Sequence, residues 1–194
     1  MKGHRKNRLG IFIVTLVIIV AAAILTLYGY NFIFKVIYPL NYSAEVSKFS
    51  AKYNVDPYLV MGIIKAESNF NPNAISPKGA KGLMQITDDT GIWIAGNIKF
   101  KNFKPDDLYN PSVNIEFGCW YLKYLDDSFD GNTDYVILAY NGGIGNVKEW
   151  LKNDEYTDDK GKLIKIPFGE TEEFLKRVKS NRAEYMKLYK EGIS

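Results

Sequence analysis

Hydrophobic and polar positions along this chain follow two regimes. Residues 9–28 carry no charge, and Ile, Val, Leu and Ala dominate them. About 20 such residues, rising 1.5 Å each in a helix, cross a hydrocarbon layer of roughly 30 Å. Aromatic side chains then gather at Tyr28, Tyr30, Phe32, Phe34 and Tyr38, as expected at a membrane interface. After Asn41 the pattern changes to short periodic segments punctuated by Asn, Asp, Gly and Pro. Tyr42, Val46, Phe49 and Tyr53 recur at three- and four-residue spacing and predict a helix. Asp56-Pro57 offers an N-cap acceptor and an N1 proline for the next one, which runs to about Ser68 before NFNPN breaks it.

Further elements follow the same grammar. A short turn and helix is predicted over residues 78–86, and another helix from Asp88, Asp89 and Thr90 through Ile94. Asn110-Pro111 repeats the cap-then-proline signal before SVNIEFGCWYLKYLDD, where Ile115, Cys119, Leu122 and either Leu125 or Tyr124 share a side. TDYVILAYN predicts a short apolar helix ended by Asn141-Gly142-Gly143, with GNVKEWLKN after it. DDKGK, between Tyr156 and residues 163–166, fits a hairpin tip. Residues 170–189 return to helix, with a break expected near Ser180-Asn181. The fold class expected is an all-α domain with room for one small β-hairpin, preceded by one N-terminal transmembrane helix. The organisation expected is a basic head at 1–8, a signal-anchor at 9–30, a juxtamembrane linker at 31–42 and a folded domain at 43–194.

Charge sharpens this division. Lys2, Arg5, Lys6, Arg8 and Lys35 precede residue 41, and no acidic residue does. A basic head before the span implies a cytoplasmic N-terminus and an extracytoplasmic remainder at the cell membrane. A cleaved signal peptide is the rival, because VAAAI offers small residues for cleavage, although the apolar run continues past them. The remainder has 20 basic against 22 acidic residues, a net of −2, and so no footprint for nucleic acid. Cys119 is the only cysteine, so no disulfide can form within the chain, and its neighbours suggest a core thiol. His4, in the basic head, is the only histidine. Ser–His and Cys–His pairs and a His/Cys zinc site are thereby excluded from the domain. No phosphate-binding or dinucleotide fingerprint is present.

Glu67 then stands out. Ile64, Ile63 and Val60 precede it by three, four and seven positions, which puts all four on one helical face, with Lys65 and Ser68 off it. Desolvation there would favour the neutral carboxyl, the form that protonates a leaving glycosidic oxygen. The alternative is a solvated side chain in the last helical turn. GAKGLMQIT and AYNGG add an amide at Gln85, a phenol at Tyr140 and an amide at Asn141 beside permissive glycines. One acid among neutral donors suits a polar, uncharged sugar. Tyr140 could equally be a core aromatic, Gln85 a backbone bridge and Ser76 a turn residue.

Glu67-Ser68, Gly82-Leu83-Met84-Gln85 and Ala139-Tyr140-Asn141, in this order, resemble the soluble lytic transglycosylase (SLT) family over roughly residues 43–190. The resemblance implies a lysozyme-like α fold and cleavage of the MurNAc–GlcNAc bond of peptidoglycan, with no metal or cofactor. It implies Glu67 as general acid and then base. It further implies Ser76, Gln85, Tyr140 and Asn141 as acid-orienting or substrate-contacting groups, with Leu83 and Met84 along the cleft. NPSVNIEFG is similar to the family's D-P-x-x-N-I helix start, with Asn110 in place of Asp and Asn114-Ile115 retained. IPFGETEEFLKRV is similar to its E-T-x-x-Y-V segment, which makes Glu170 the candidate second carboxylate. Glu172, Phe174 and Thr87 depart from the common arginine, tyrosine and methionine. The partners implied are glycan strands and the membrane, with an envelope or secretion machine as a further candidate. A lysozyme-type hydrolase and a non-catalytic wall-binding module are the alternatives.

Overall fold

The computed structural model describes residues 3–193, with side chains from Phe12 onward except those of 27, 30 and 31. The chain divides into two units, residues 1–39 and 40–194. The first contains helix α1 (Gly3–Ile37). The described apolar side chains of α1 include Phe12, Val14, Val17, Ile19 and Leu25, all exposed. Among the described residues no helix is long and apolar enough to cross a membrane. The described stretch 12–26 spans only about 22 Å at 1.5 Å per residue, and the rest of the span expected over 9–30 lies partly outside the described side chains, as does the basic head at 1–8.

The second unit is built from seven helices among the described residues: α2 (Ser43–Tyr53), α3 (Pro57–Ser68), α4 (Asp88–Asn97), α5 (Pro111–Ser128), α6 (Thr133–Gly142), α7 (Ile144–Trp150) and α8 (Gly169–Leu188). A 3₁₀ turn over Pro105–Tyr109, not expected from the sequence, leads into α5. The cap-then-proline signals act as read. Asp56 accepts from the Tyr58 N–H at 2.8 Å, and Asn110 accepts from the Ser112 N–H at 2.9 Å. Helix α3 lies along α8, and Gly62 makes this approach possible, since a Cβ there would sit 3.1 Å from the Val178 carbonyl oxygen. Asn181 Nδ2 donates to the Gly62 carbonyl, and Arg182 pairs with Asp56. These bonds hold α8 continuous through Ser180-Asn181, where a break was expected. Val60, Ile63, Ile64, Ile115, Leu122, Ile137 and Val178 are buried in the core. Cys119 is buried with them, and desolvation pushes its thiol up to about 12, so it is inert.

Two local expectations are corrected. Residues 78–86 form no helix. Gly79, Gly82 and Gln85 all have positive φ (77°, 76° and 50°), which no right-handed helix accommodates, and the chain instead makes the antiparallel bridges Ile75–Lys81 and Lys81–Ile86. The hairpin over DDKGK reduces to one bridge, Thr157–Leu163, with Asp158 accepting from the Lys160 and Lys162 N–H groups at 3.0 and 2.9 Å. No strand occurs among the described residues.

The 81–86 loop owes its shape to Asn114 on α5, which is fully buried. Its Oδ1 accepts from the Met84 N–H at 2.7 Å, and its Nδ2 donates to the carbonyls of Lys81 and Leu108 at 2.9 and 2.8 Å. Gly82 must lack a side chain, because a Cβ would lie 2.3 Å from the Leu108 oxygen and 2.4 Å from Asn114 Nδ2. Asn114→Ala strands the buried Met84 N–H and Leu108 carbonyl, while the Lys81 carbonyl keeps the Ile86 N–H, and is expected to lower stability by about 3 kcal/mol; an unchanged urea midpoint would contradict this role.

Candidate functional site

Glu67 sits in the last turn of α3, and its approach to the core is fixed by the helix phase. Val60, Ile63 and Ile64 on the same face are wholly buried, so the Glu67 carboxyl is drawn to the edge of the core and left half-buried. It opens into a cavity of about 540 Å³. Desolvation pushes its pKa up to about 7; the Arg177 charge opposes this rise and the Glu170 charge adds to it. Among the described residues the carboxyl makes no hydrogen bond or ion pair.

The other expected residues divide between the cavity and its scaffold. Ser76, Gln85, Tyr140, Asn141 and Glu170 line the cavity with Glu67. None of them hydrogen-bonds to the acid; Ser76, Gln85, Tyr140 and Asn141 each hold a neighbouring piece of backbone or side chain instead. Ser76 Oγ accepts from the Ala80 N–H at 3.0 Å and closes the turn between them. Gln85 Nε2 donates to the carbonyls of Gly82 and Ala74 at 2.9 and 3.2 Å. The Tyr140 hydroxyl donates to the Met84 carbonyl at 2.7 Å, which ties α6 to the 81–86 loop. Burial first, then the Glu67 charge, raises the Tyr140 phenol well above its ordinary pKa, so it remains a neutral donor. Asn141 Oδ1 accepts from Thr171 Oγ1 at 2.8 Å, which fixes the start of α8 beside the cavity. Glu170 is exposed at the cavity wall.

Ser68, Gly82, Leu83, Met84 and Asn114 are scaffold. Ser68 was expected off the functional face, yet its Oγ donates to the Leu83 carbonyl at 2.8 Å and joins the end of α3 to the loop. Leu83 and Met84 do not line the cavity. Both are fully buried, with Met84 seated over Gly118, where a Cβ would lie 2.2 Å from its sulfur. Sequence reasoning missed Tyr121, Thr171 and Arg177. Arg177 follows Glu170 by seven positions, two turns of one helix, and that spacing was its available signal. Tyr121 stands in the WYLKY aromatic run, whose facing could not be decided without α4. No group of three or more His, Cys, Asp or Glu among the described residues is arranged to hold a metal ion.

One acid near its titration point, in a cavity where amide and hydroxyl groups stand beside the charged Lys78 and Glu170, can give and regain a proton near neutral pH. The same shift affects folding. Between about 4.5 and about 7 the folded chain keeps a proton on Glu67 that the unfolded chain has lost, so stability falls as pH rises through this window. Glu67→Gln removes the penalty. The variant should match the native chain at pH 4 and exceed it by up to about 3 kcal/mol above pH 7, read from urea denaturation at both pH values; a pH-independent difference would contradict the burial of the acid.

Residues 45–163 match the Transglycosylase SLT domain family. The chain is 33% identical over 150 residues to soluble lytic murein transglycosylases of Salmonella typhimurium and Escherichia coli, covering 76% of this chain and 23% of each relative. Among solved structures it is similar to the 70 kDa soluble lytic transglycosylase of Escherichia coli, with a TM-score of 0.73 and 31% identity over 79% of this chain and 25% of that one. It is also similar to an inactive mutant of lytic transglycosylase Slt from Pseudomonas aeruginosa, with a TM-score of 0.71 and 28% identity over the same shares. The chain thus spans about a quarter of the length of these relatives. With the family matched over more than half of its residues and its all-α architecture shared with solved members, this chain belongs to the Transglycosylase SLT domain family, with that family's lysozyme-like α fold.

Proposed function

We propose that this chain is a peptidoglycan lytic transglycosylase that cleaves the β-1,4 bond between MurNAc and GlcNAc, with Glu67 as general acid and then base. The observation that carries the reading is a single desolvated carboxyl, pushed up to about 7, in a cavity otherwise lined largely by amide, hydroxyl and aromatic groups. Protonated Glu67 gives its proton to the glycosidic oxygen as the bond from that oxygen to C1 of MurNAc breaks. The N-acetyl carbonyl of the same sugar shields C1. Glu67, now a carboxylate, takes the proton of the C6 hydroxyl while O6 bonds to C1, which leaves a 1,6-anhydro ring and returns the acid to its starting state. No water is consumed. Gln85 and Ser76 stand where they can meet polar groups of the sugar, and Tyr140 and Asn141 hold the walls between which it lies.

Glu170 on the same wall supports a second reading, in which it guides water to C1 and the product is a reducing MurNAc end. Mass spectrometry of digested peptidoglycan separates the two. Anhydromuropeptides are expected; reducing ends alone would overturn the transglycosylase reading. Glu67→Gln should lower turnover by about 10²–10⁴-fold, and kcat/KM of the native chain should fall about tenfold per pH unit above about 7 as the acid ionises. Wild-type clearing of cell wall by Glu67→Gln would favour a non-catalytic wall-binding module.

The uncharged run at 9–28 and the exposed apolar side chains described on α1 support an uncleaved membrane anchor over 9–30. The basic head at 1–8 would then lie in the cytoplasm, and the linker at 31–42 and the catalytic domain at 43–194 outside the membrane. The full-length mass is expected to persist in membranes washed at alkaline pH; release of a chain shortened near residue 23 would instead indicate a cleaved signal.

A further inference from the structure

Beside the Glu67 cavity, the face shared by α4 and α5 holds a second hollow of about 350 Å³ that none of the roles above uses. Thr90 and Tyr121 line both hollows, so they share a wall. The second is dominated by aromatic rings. Trp93 stands edge-on to Trp120, Tyr124 and Tyr121, with ring centroids 5.1, 4.9 and 6.2 Å away. Tyr124 lies parallel to Trp120 at 5.9 Å and to Tyr121 at 6.2 Å. Tyr121 continues to Tyr140, 5.5 Å away, whose hydroxyl anchors the 81–86 loop. A ladder of rings thus runs from the wall of the acid's cavity to the surface, where Trp93 and Tyr124 are 39% and 37% exposed.

Edge-to-face packing fixes these rings in place before any ligand arrives, so little side-chain freedom is lost on contact. A sugar ring offers an apolar C–H face to such a platform and a rim of hydroxyls to its border. The border here carries the Asp89 carboxylate and the Thr90 hydroxyl, both able to meet hydroxyl groups. A lipid tail or an apolar peptide would desolvate Asp89 without compensation. Continuity with the Glu67 cavity supplies the remaining argument, because a strand that fills one hollow is led along the shared wall into the other.

We propose that Trp93, backed by Trp120 and Tyr124, forms a carbohydrate-stacking subsite that receives a further sugar ring of the strand held across the Glu67 cavity. The substrate class rests on the function proposed above; the subsite itself is measured without turnover. Full-length Glu67→Gln is titrated with glycan strands freed of their stem peptides, followed by tryptophan fluorescence and calorimetry. Strand binding is expected to change the fluorescence, and adding Trp93→Ala to weaken affinity about tenfold. Trp93→Phe should recover most of the loss, and Tyr124→Ala should reproduce part of it. Melting temperatures within a few degrees of the parent establish that each variant is folded. Equal affinities with and without Trp93 overturn the subsite while leaving the Glu67 chemistry standing, since that is read separately from the products of the native chain. Strands that fail to bind Glu67→Gln at all also overturn it. So does a dimer, or an association with lipid vesicles, that Trp93→Ala abolishes, because the rings would then serve a second copy or a membrane surface.

Discussion

Three hydrogen bonds from one buried amide organise the functional half of the domain. Asn114 presents one acceptor and two donor hydrogens, and it spends them on Met84, Lys81 and Leu108, which belong to a 3₁₀ turn and a loop whose own pairing is limited to the bridges at Lys81. Backbone groups buried without partners cost on the order of 1–3 kcal/mol each, so a loop this irregular persists only where something completes it. From that anchor the other contacts follow: Met84 seats over Gly118, its carbonyl receives Tyr140, and Leu83 receives Ser68 from the helix that carries the acid. The spacing between Glu67 and the opposite wall is therefore a property of helix α5, which contributes no group to the proposed proton transfer.

The electrostatics of the site come from its apolar surroundings. Desolvation is the largest influence on Glu67, with Arg177 and Glu170 pulling in opposite directions behind it. A carboxyl tuned by burial keeps its shift at ordinary ionic strength, whereas one tuned by an exposed partner would be screened within about 10 Å. Tyr140 experiences the same medium, so the phenol stays neutral and its bond to Met84 survives across the working range.

The helices and the acid were legible because their signals are local. Asp56-Pro57 and Asn110-Pro111 state where helices begin, and three apolar neighbours state which way Glu67 faces. The loop was misread as helical because its left-handed residues include Gln85, whose positive φ no local pattern announces. Leu83 and Met84 were assigned to the cleft because apolar residues beside a site can face either way. Their direction is decided by Gly118 and Asn114, some thirty positions on. The unbroken α8 has the same origin, since Asn181 interrupts a helix in isolation but bonds to α3 here. What escaped the sequence was the set of contacts between distant segments that give a polar side chain its partner.

Among the described residues the Glu67 carboxyl makes no hydrogen bond or ion pair that fixes its torsion angles. Ser76, Gln85, Tyr140 and Asn141 around it are locked, each to a carbonyl, a hydroxyl or an amide hydrogen. Such an arrangement resembles a pivot in a rigid frame. In the proposed reaction it serves the glycosidic oxygen and afterwards O6, which leave and enter on the same face of C1, so a small turn of the carboxyl has to reach both. Tethering it more firmly would improve its aim at the first and spoil its reach to the second.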